Sequence, residues 1–262
     1  MSQGTPLINI PWRTITRNRQ SRRPNFDFVF ENPALSSIWE DELRVNIIDK
    51  LRQNNIDFKS NVLSYCKHRN IDEGPLVLQK NTRFVSSLYA VDFQFGLCSK
   101  NDCQFRHKPF EWASLAERNS IPESIINQFL IAWIRGKSSS KQLIFVDVFR
   151  GHGSIQKTVE SFEPRNITYV GNDYNESLHA DYCIDIKQQG LERLINTIKR
   201  DLDTTDDAQF LLWLSTDCST YSTMSRAHHQ PKNGTVSECA RKMDFMNESV
   251  IKFLAETNPP SP

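Results

Sequence analysis

The 262-residue chain lacks any apolar stretch long enough to span a membrane, and its first twenty residues lack the apolar core of an export signal. A membrane is therefore not among the expected partners. Net charge is nearly absent as well: 32 Lys and Arg stand against 31 Asp and Glu, leaving +1. No global field draws the chain onto a polyanion, so any such contact must use local patches. No internal repeat recurs along the chain. Cysteine is sparse: Cys66, Cys98, Cys103, Cys183, Cys218 and Cys239 lie scattered in a chain too large to need disulfide staples. Without an export signal, they point to a reducing, intracellular setting. Acidic residues are missing from residues 1–26, which hold Arg13, Arg17, Arg19, Arg22 and Arg23. That segment reads as a disordered, solvated tail, or as one that touches phosphates or serves as a nuclear address.

What is present divides in two. Residues 34–137 read as a mainly helical region. Ser37-Ile38-Trp39-Glu40 has the form of a capping box, and Trp39, Leu43, Ile47 and Leu51 follow at helical spacing. A second box, Ser120-Ile121-Pro122-Glu123, opens a helix running through Phe129 and Trp133. The stretch from Arg135 to Ser140, rich in Gly and Ser, predicts a domain boundary.

From residue 141 to 262 the texture is α/β. Leu143–Phe149 is an apolar run broken only by Asp147, which suits a strand buried on both faces. Strands are also expected at Ile167–Val170, Tyr182–Ile184 and Phe210–Leu214. Helical stripes alternate with them: Ile155, Val159 and Phe162; Leu191, Leu194, Ile195 and Ile198; Cys239, Met243, Met246, Val250 and Leu254. The alternation predicts a doubly wound, mostly parallel sheet, with ligands at the carboxyl ends of its strands. Four candidates fall at such ends: the turn Asp147–Gly153, Asp173, Asp185 and Cys218.

The order and spacing of these four resemble the cytosine-C5 methyltransferase family, especially its phage-like branch. Val146-Asp147-Val148-Phe149-Arg150-Gly151-His152-Gly153-Ser154 is similar to that family's AdoMet motif, and Tyr169-Val170-Gly171-Asn172-Asp173 to its ribose-binding acid. Ala180–Ile186 resembles the adenine-contacting segment, and Leu214–Ser222 the nucleophile loop. The resemblance implies a partial class I AdoMet-methyltransferase fold. It implies Asp147, Phe149, Gly151, Gly153, Asp173 and Asp185 as the S-adenosyl-L-methionine site, and Cys218 as the nucleophile that attacks C6 of a flipped cytosine. There are departures. Thr216 stands where the family has proline, and Arg150 and His152 replace smaller residues. Residues 219–262 leave no room for the family's further strands, its base-binding Glu, its Arg or its target-recognition region. The expectation is a fragment or degenerate copy with its fourth strand left as an exposed edge, needing a second chain to complete it and showing little activity alone. A Glu-Asn motif and a further β-rich region beyond Pro262 would mark the class.

A second site is expected at residues 90–107. Phe93-Gln94-Phe95-Gly96-Leu97-Cys98, with Cys103 and His107 following, resembles a degenerate CCCH zinc finger. Such fingers stack single-stranded RNA bases on aromatics, here Phe93, Phe95 and Phe105. Ala90 stands where the first cysteine is due, so Cys66 is the first candidate for a fourth zinc ligand and His68 the weaker one. The alternative is a decayed finger whose aromatics are core. Two functions follow: a cytosine-C5 methyltransferase acting on DNA rather than RNA, or a non-catalytic RNA-binding protein with a relic methyltransferase fold. No Asn/Asp-Pro-Pro-aromatic motif follows Leu214, which argues against methylation of a base amino group.

Overall fold

The structure is a computed structural model, and it describes residues 26–39, 46–69, 76–91, 93, 96–99, 101, 103–135, 137–138, 141–163, 166–216 and 236–257. Strands are β1 (Phe26–Pro33), β2 (Lys59–Ser64), β3 (Leu76–Leu78), β4 (Asn81–Ser86), β5 (Arg106–Lys108), β6 (Leu143–Asp147), β7 (Ile167–Gly171) and β8 (Gln209–Leu214). Helices are α1 (Ile47–Gln53), α2 (Leu115–Asn119), α3 (Glu123–Ile134), α4 (Gln156–Glu160), α5 (Ile186–Asp201) and α6 (Glu238–Thr257).

Six strands form one sheet in the order β2-β4-β1-β8-β6-β7, and β3 pairs with β5 in a separate ribbon. The β1–β8, β8–β6 and β6–β7 pairings are parallel, while β4 runs against both its neighbours. The class is mixed α/β with a mostly parallel sheet, as the alternating pattern predicts. β6 and β8 are buried at every position. On one face Phe28, Phe30, Ile144, Val146, Phe210 and Leu212 pack with residues of α1, α5 and α6. On the other, Val29, Leu143, Phe145, Leu211 and Trp213 pack with α3 and Val159 of α4. This two-sided burial is why the sequence shows unbroken apolar runs there and not alternation.

Several expectations change. β8 is not an exposed edge: β1 lies parallel beside it, with Phe26–Phe30 in register with Phe210–Leu214. The sheet therefore runs across the boundary expected near residue 141: the region expected to be helical, 34–137, supplies two of its six strands, β2 and β4, and β1 precedes that region. The Lys137 ammonium secures the amino end of the β1–β8 pair, reaching Asp27 Oδ2 at 2.9 Å and Gln209 Oε1 at 3.1 Å. Of the helix expected from Ser37, residues 37–39 lie in a turn, with Trp39 Nε1 donating to Pro33 O, and residues 40–45 lie outside the described residues. Asn46 caps α1 instead, accepting from Asp49 N. Pro122, not Ser120, precedes α3. Residues 182–184 make only an isolated bridge from Tyr182 to Asn172.

Candidate active site and metal centre

All the candidate groups that can be described lie towards one side of the sheet, where β6, β7, β8, β1 and β2 end and β4 begins. The β6 and β7 ends are locked by Asn172. Its Nδ2 donates to Val148 O and Ile184 O, and its Oδ1 accepts from Ile184 N. Gly151 and Gly153 take φ of +52° and +70°, a left-handed turn that other residues resist. Asp173 braces this turn: its Oδ2 accepts from Gly151 N at 2.9 Å and its Oδ1 from Asn175 N at 3.0 Å. Arg150 fills the space over Gly153 and Gly171 and donates to Leu178 O and Gln156 Oε1.

A small open pocket lies beside this turn, lined by Phe149, Tyr174, Ile184, Asp185, Met243 and Met246 among others. Asp185 also caps α5, accepting from Lys187 N. Of the six residues expected at a cofactor, Phe149 and Asp185 line the pocket. Gly151, Gly153 and Asp173 form the adjoining turn. Asp147 is different, because it is buried at the end of β6. Its Oδ2 accepts from Tyr169 Oη at 3.1 Å and its Oδ1 has no hydrogen-bond partner among the described residues. Burial pushes its carboxyl up to about 7, against the lowering pull of the Tyr169 hydroxyl and Arg150. The Tyr169 phenol is pushed up by burial and by the Asp147 charge.

A second group sits where β1, β8 and β4 meet, and sequence reasoning missed it. Glu31, nearly buried at the end of β1, accepts from Tyr65 Oη at 2.9 Å and pairs with Lys80 Nζ at 3.5 Å. Lys80 also lies 4.9 Å over the Tyr65 ring. Burial, and then the Glu31 charge, push the Tyr65 phenol well up, so it stays a donor. Next to it, Asn32 Nδ2 donates to Thr216 O at 3.2 Å and to Thr216 Oγ1 at 3.0 Å. Thr216 ends the described stretch that holds β8, and Cys218 lies outside the described residues. The missed signal was Phe28-Val29-Phe30-Glu31-Asn32-Pro33, an apolar run ending in Glu-Asn.

The third group is the candidate metal centre. Cys66, just past β2, meets Cys98, Cys103 and His107, with all four ligand atoms within 4.8 Å of one another. His107 Nε2 is 3.1 Å from Cys103 Sγ and 3.7 Å from Cys98 Sγ. A tetrahedral ion with metal–sulfur bonds of about 2.3 Å separates its sulfurs by about 3.8 Å, so the four groups could hold one ion such as zinc. This is the expected set, with Cys66 as the fourth ligand. His68 is not part of it: its ring packs edge-on against Phe93. Burial, then hydrogen bonding to Cys98, push the Cys66 thiol up, so it is protonated without a metal. The aromatics expected to stack RNA bases are placed otherwise. Phe93 packs against Phe84 and Phe129, and Phe105 is buried beside Cys66; Phe95 lies outside the described residues. Among the described residues no helix is long and apolar enough to cross a membrane.

No protein-family model matches the chain, and no curated protein matches it.

Proposed function

We propose that the chain is an AdoMet-dependent cytosine-C5 methyltransferase acting on DNA, with the strands of its class I domain in rotated chain order. The observation that carries this reading is Glu31-Asn32 at the end of β1, directly beside the end of β8. The family resemblance calls for a further strand, a base-binding Glu and an Arg beyond the nucleophile loop. Here a parallel strand ending in Glu-Asn lies beside β8 but comes before it in the chain.

The residues near the pocket fit the adenosine end of S-adenosyl-L-methionine. Phe149, Ile184, Met243 and Met246 offer apolar contact, Asp185 an acceptor, and the Gly151–Gly153 turn a close backbone approach. When bound, the cofactor supplies an electrophilic methyl group. The roles of the chain's own residues follow from the chemistry. The Cys218 thiolate adds to C6 of the flipped base, which drives electron density onto C5 and the ring's N3–C4 edge. A carboxyl group at that edge stabilises the adduct by hydrogen bonding, and Glu31 is the residue assigned to this. Tyr65 and Lys80 hold Glu31 still, and Asn32 ties its strand to the chain leading to Cys218. The placement of Phe93, half-buried against Phe84 and Phe129, and of Phe105, buried beside Cys66, favours this reading over the RNA-binding alternative, which rests on open aromatic faces.

Labelled methyl transfer to cytosine-containing DNA, with RNA in parallel, tests the reading. The expected result is transfer to C5 of cytosine, lost in Cys218→Ser and Glu31→Gln, with AdoMet binding kept in both. A covalent complex with 5-fluorocytosine DNA should form in the wild type and fail in Cys218→Ser. No transfer to either nucleic acid, or a Glu31→Gln variant with full activity, refutes it.

A further inference from the structure

The metal centre and the Glu31 site share one stretch of backbone. Tyr65 and Cys66 open a short 3₁₀ turn, Tyr65–His68, at the end of β2. Tyr65 joins the core of Phe84 and Phe129 and donates to Glu31, while Cys66 joins the separate cluster of Val77, Phe105, Cys98 and Cys103. The metal-bearing segment also grips the residue on the other side of Tyr65. Ser64 Oγ accepts from Cys98 N at 2.9 Å and donates to Asn81 Oδ1 at 2.5 Å, and Ser64 N donates to Gly96 O at 3.4 Å. Tyr65 N itself donates to Lys80 O at 2.9 Å, bringing in the second residue that pairs with Glu31.

We infer that the Cys66/Cys98/Cys103/His107 metal centre is the brace that sets Tyr65 against Glu31, which makes Tyr65 a positioning residue for the base-binding acid. Zn²⁺ binding converts three thiols to thiolates, releases three protons to solvent and forms four coordinate bonds. That fixes Cys66 and Cys98 relative to each other, and with them the two neighbours of Tyr65. Without the ion, Cys66 keeps its packing against Val77 and Phe105 but no coordinate bond ties it to Cys98. The brace itself stands on this geometry; its effect on a cytosine rests on the methyltransferase reading.

The test is fluorine NMR of the full chain carrying 3-fluorotyrosine, loaded with Zn²⁺ and then chelated. The Tyr65 and Tyr169 resonances are assigned from Tyr65→Phe and Tyr169→Phe. One zinc per chain is expected, and Co²⁺ in its place should show thiolate-to-cobalt charge transfer. Chelation should shift or broaden the Tyr65 signal and leave that of Tyr169, bonded to Asp147, where it was. Cys103→Ser, at a half-buried ligand, should reproduce the chelated spectrum if Cys66→Ala fails to fold. In metal-loaded protein, Tyr65→Phe should lower kcat about tenfold, the scale of one lost hydrogen bond to a charged group, with KM for AdoMet unchanged. An unmoved Tyr65 signal, equal movement of both signals, or absence of bound metal overturns the brace. Failure of the wild type to transfer methyl groups would sink the methyltransferase reading alone, because the resonances judge the brace without activity.

Discussion

If Asn32 joins the two halves of the chain at the site, then Asn32 and Thr216 must be energetically coupled although 184 positions separate them. Both are buried, at 1% and 4% exposure. Asn32→Ala removes two hydrogen bonds, each worth about 1 kcal/mol net, and strands the Thr216 carbonyl and hydroxyl. Part of that is returned, because Asn32 Oδ1 has no partner among the described residues and its removal relieves an unpaired acceptor. The net cost should be about 2–3 kcal/mol. Thr216→Val keeps the shape, removes only the hydroxyl bond and should cost about 1 kcal/mol.

The double variant separates this pairing from two independent local defects. Once Asn32 is gone the hydroxyl has nothing to bond, and replacing it with a methyl removes a stranded polar group. The two effects should therefore fall short of additivity by about 1–2 kcal/mol, well beyond the scatter of about 0.5 kcal/mol for unlinked sites. Urea unfolding of the four proteins, by fluorescence and by circular dichroism, measures this if the slope m stays constant. Additivity within that scatter would mean that Asn32 does not hold the chain after β8, and the argument for a joined site would fail.

Asp147 predicts a pH dependence. Its folded-state value of about 7 lies above the unfolded carboxyl's, about 3.9, so the folded state holds the extra proton. Wild-type stability should be greatest below the unfolded value, fall as the pH climbs to about 7 and level off above it, by up to roughly 4 kcal/mol. Asp147→Asn, which can still accept from Tyr169, should flatten that slope in urea titrations; parallel curves would refute the burial argument. At Gly171, an added methyl would press into Arg150 Cδ and lie 3.2 Å from Tyr169 Oη. Gly171→Ala should cost about 1–3 kcal/mol in thermal unfolding, with a smaller loss in an Arg150→Ala background. A neutral Gly171→Ala would show that Arg150 does not fill that space.

Sequence legibility followed the range of the interactions. The β6 and β8 runs were readable because burial on both faces writes itself into consecutive residues such as Ile144-Phe145-Val146 and Leu211-Leu212-Trp213. The close-set ligands Cys98, Cys103 and His107 were readable from spacing, and Cys66 from its being the remaining upstream cysteine. Whether Phe93 and Phe105 keep open faces was not readable, because packing decides it: Phe93 is half-buried against Phe129, and Phe105 is buried in the cluster that holds Cys66. Residues 182–184 carry the composition of a strand, but only Tyr182 finds a bridge partner. The position of β1 was not readable locally, since a parallel pairing leaves no turn between its strands and no residue pattern that names the partner.

Even so, a constraint that led to β1 was present. A strand as apolar as Phe210–Leu214 makes a poor edge, because an edge exposes unpaired backbone and invites aggregation. The sheet shows how that constraint is met. Its outer strands are the polar or half-exposed ones: β2 begins Lys59-Ser60-Asn61, and Thr168 and Tyr169 of β7 are partly exposed. The wholly buried β6 and β8 lie inside, and β1, buried at Phe26 and from Phe28 to Asn32, lies next to them. Reasoning from the edge would have asked which unassigned run could cover β8, and Phe28-Val29-Phe30 answers that description. Because the run ends in Glu31-Asn32, the demand for a covered strand and, on the methyltransferase reading, the demand for a carboxylate near the end of β8 lead to the same eight residues. Chain order conceals this, since sheet energetics depend on which strands are neighbours and not on which was synthesised first.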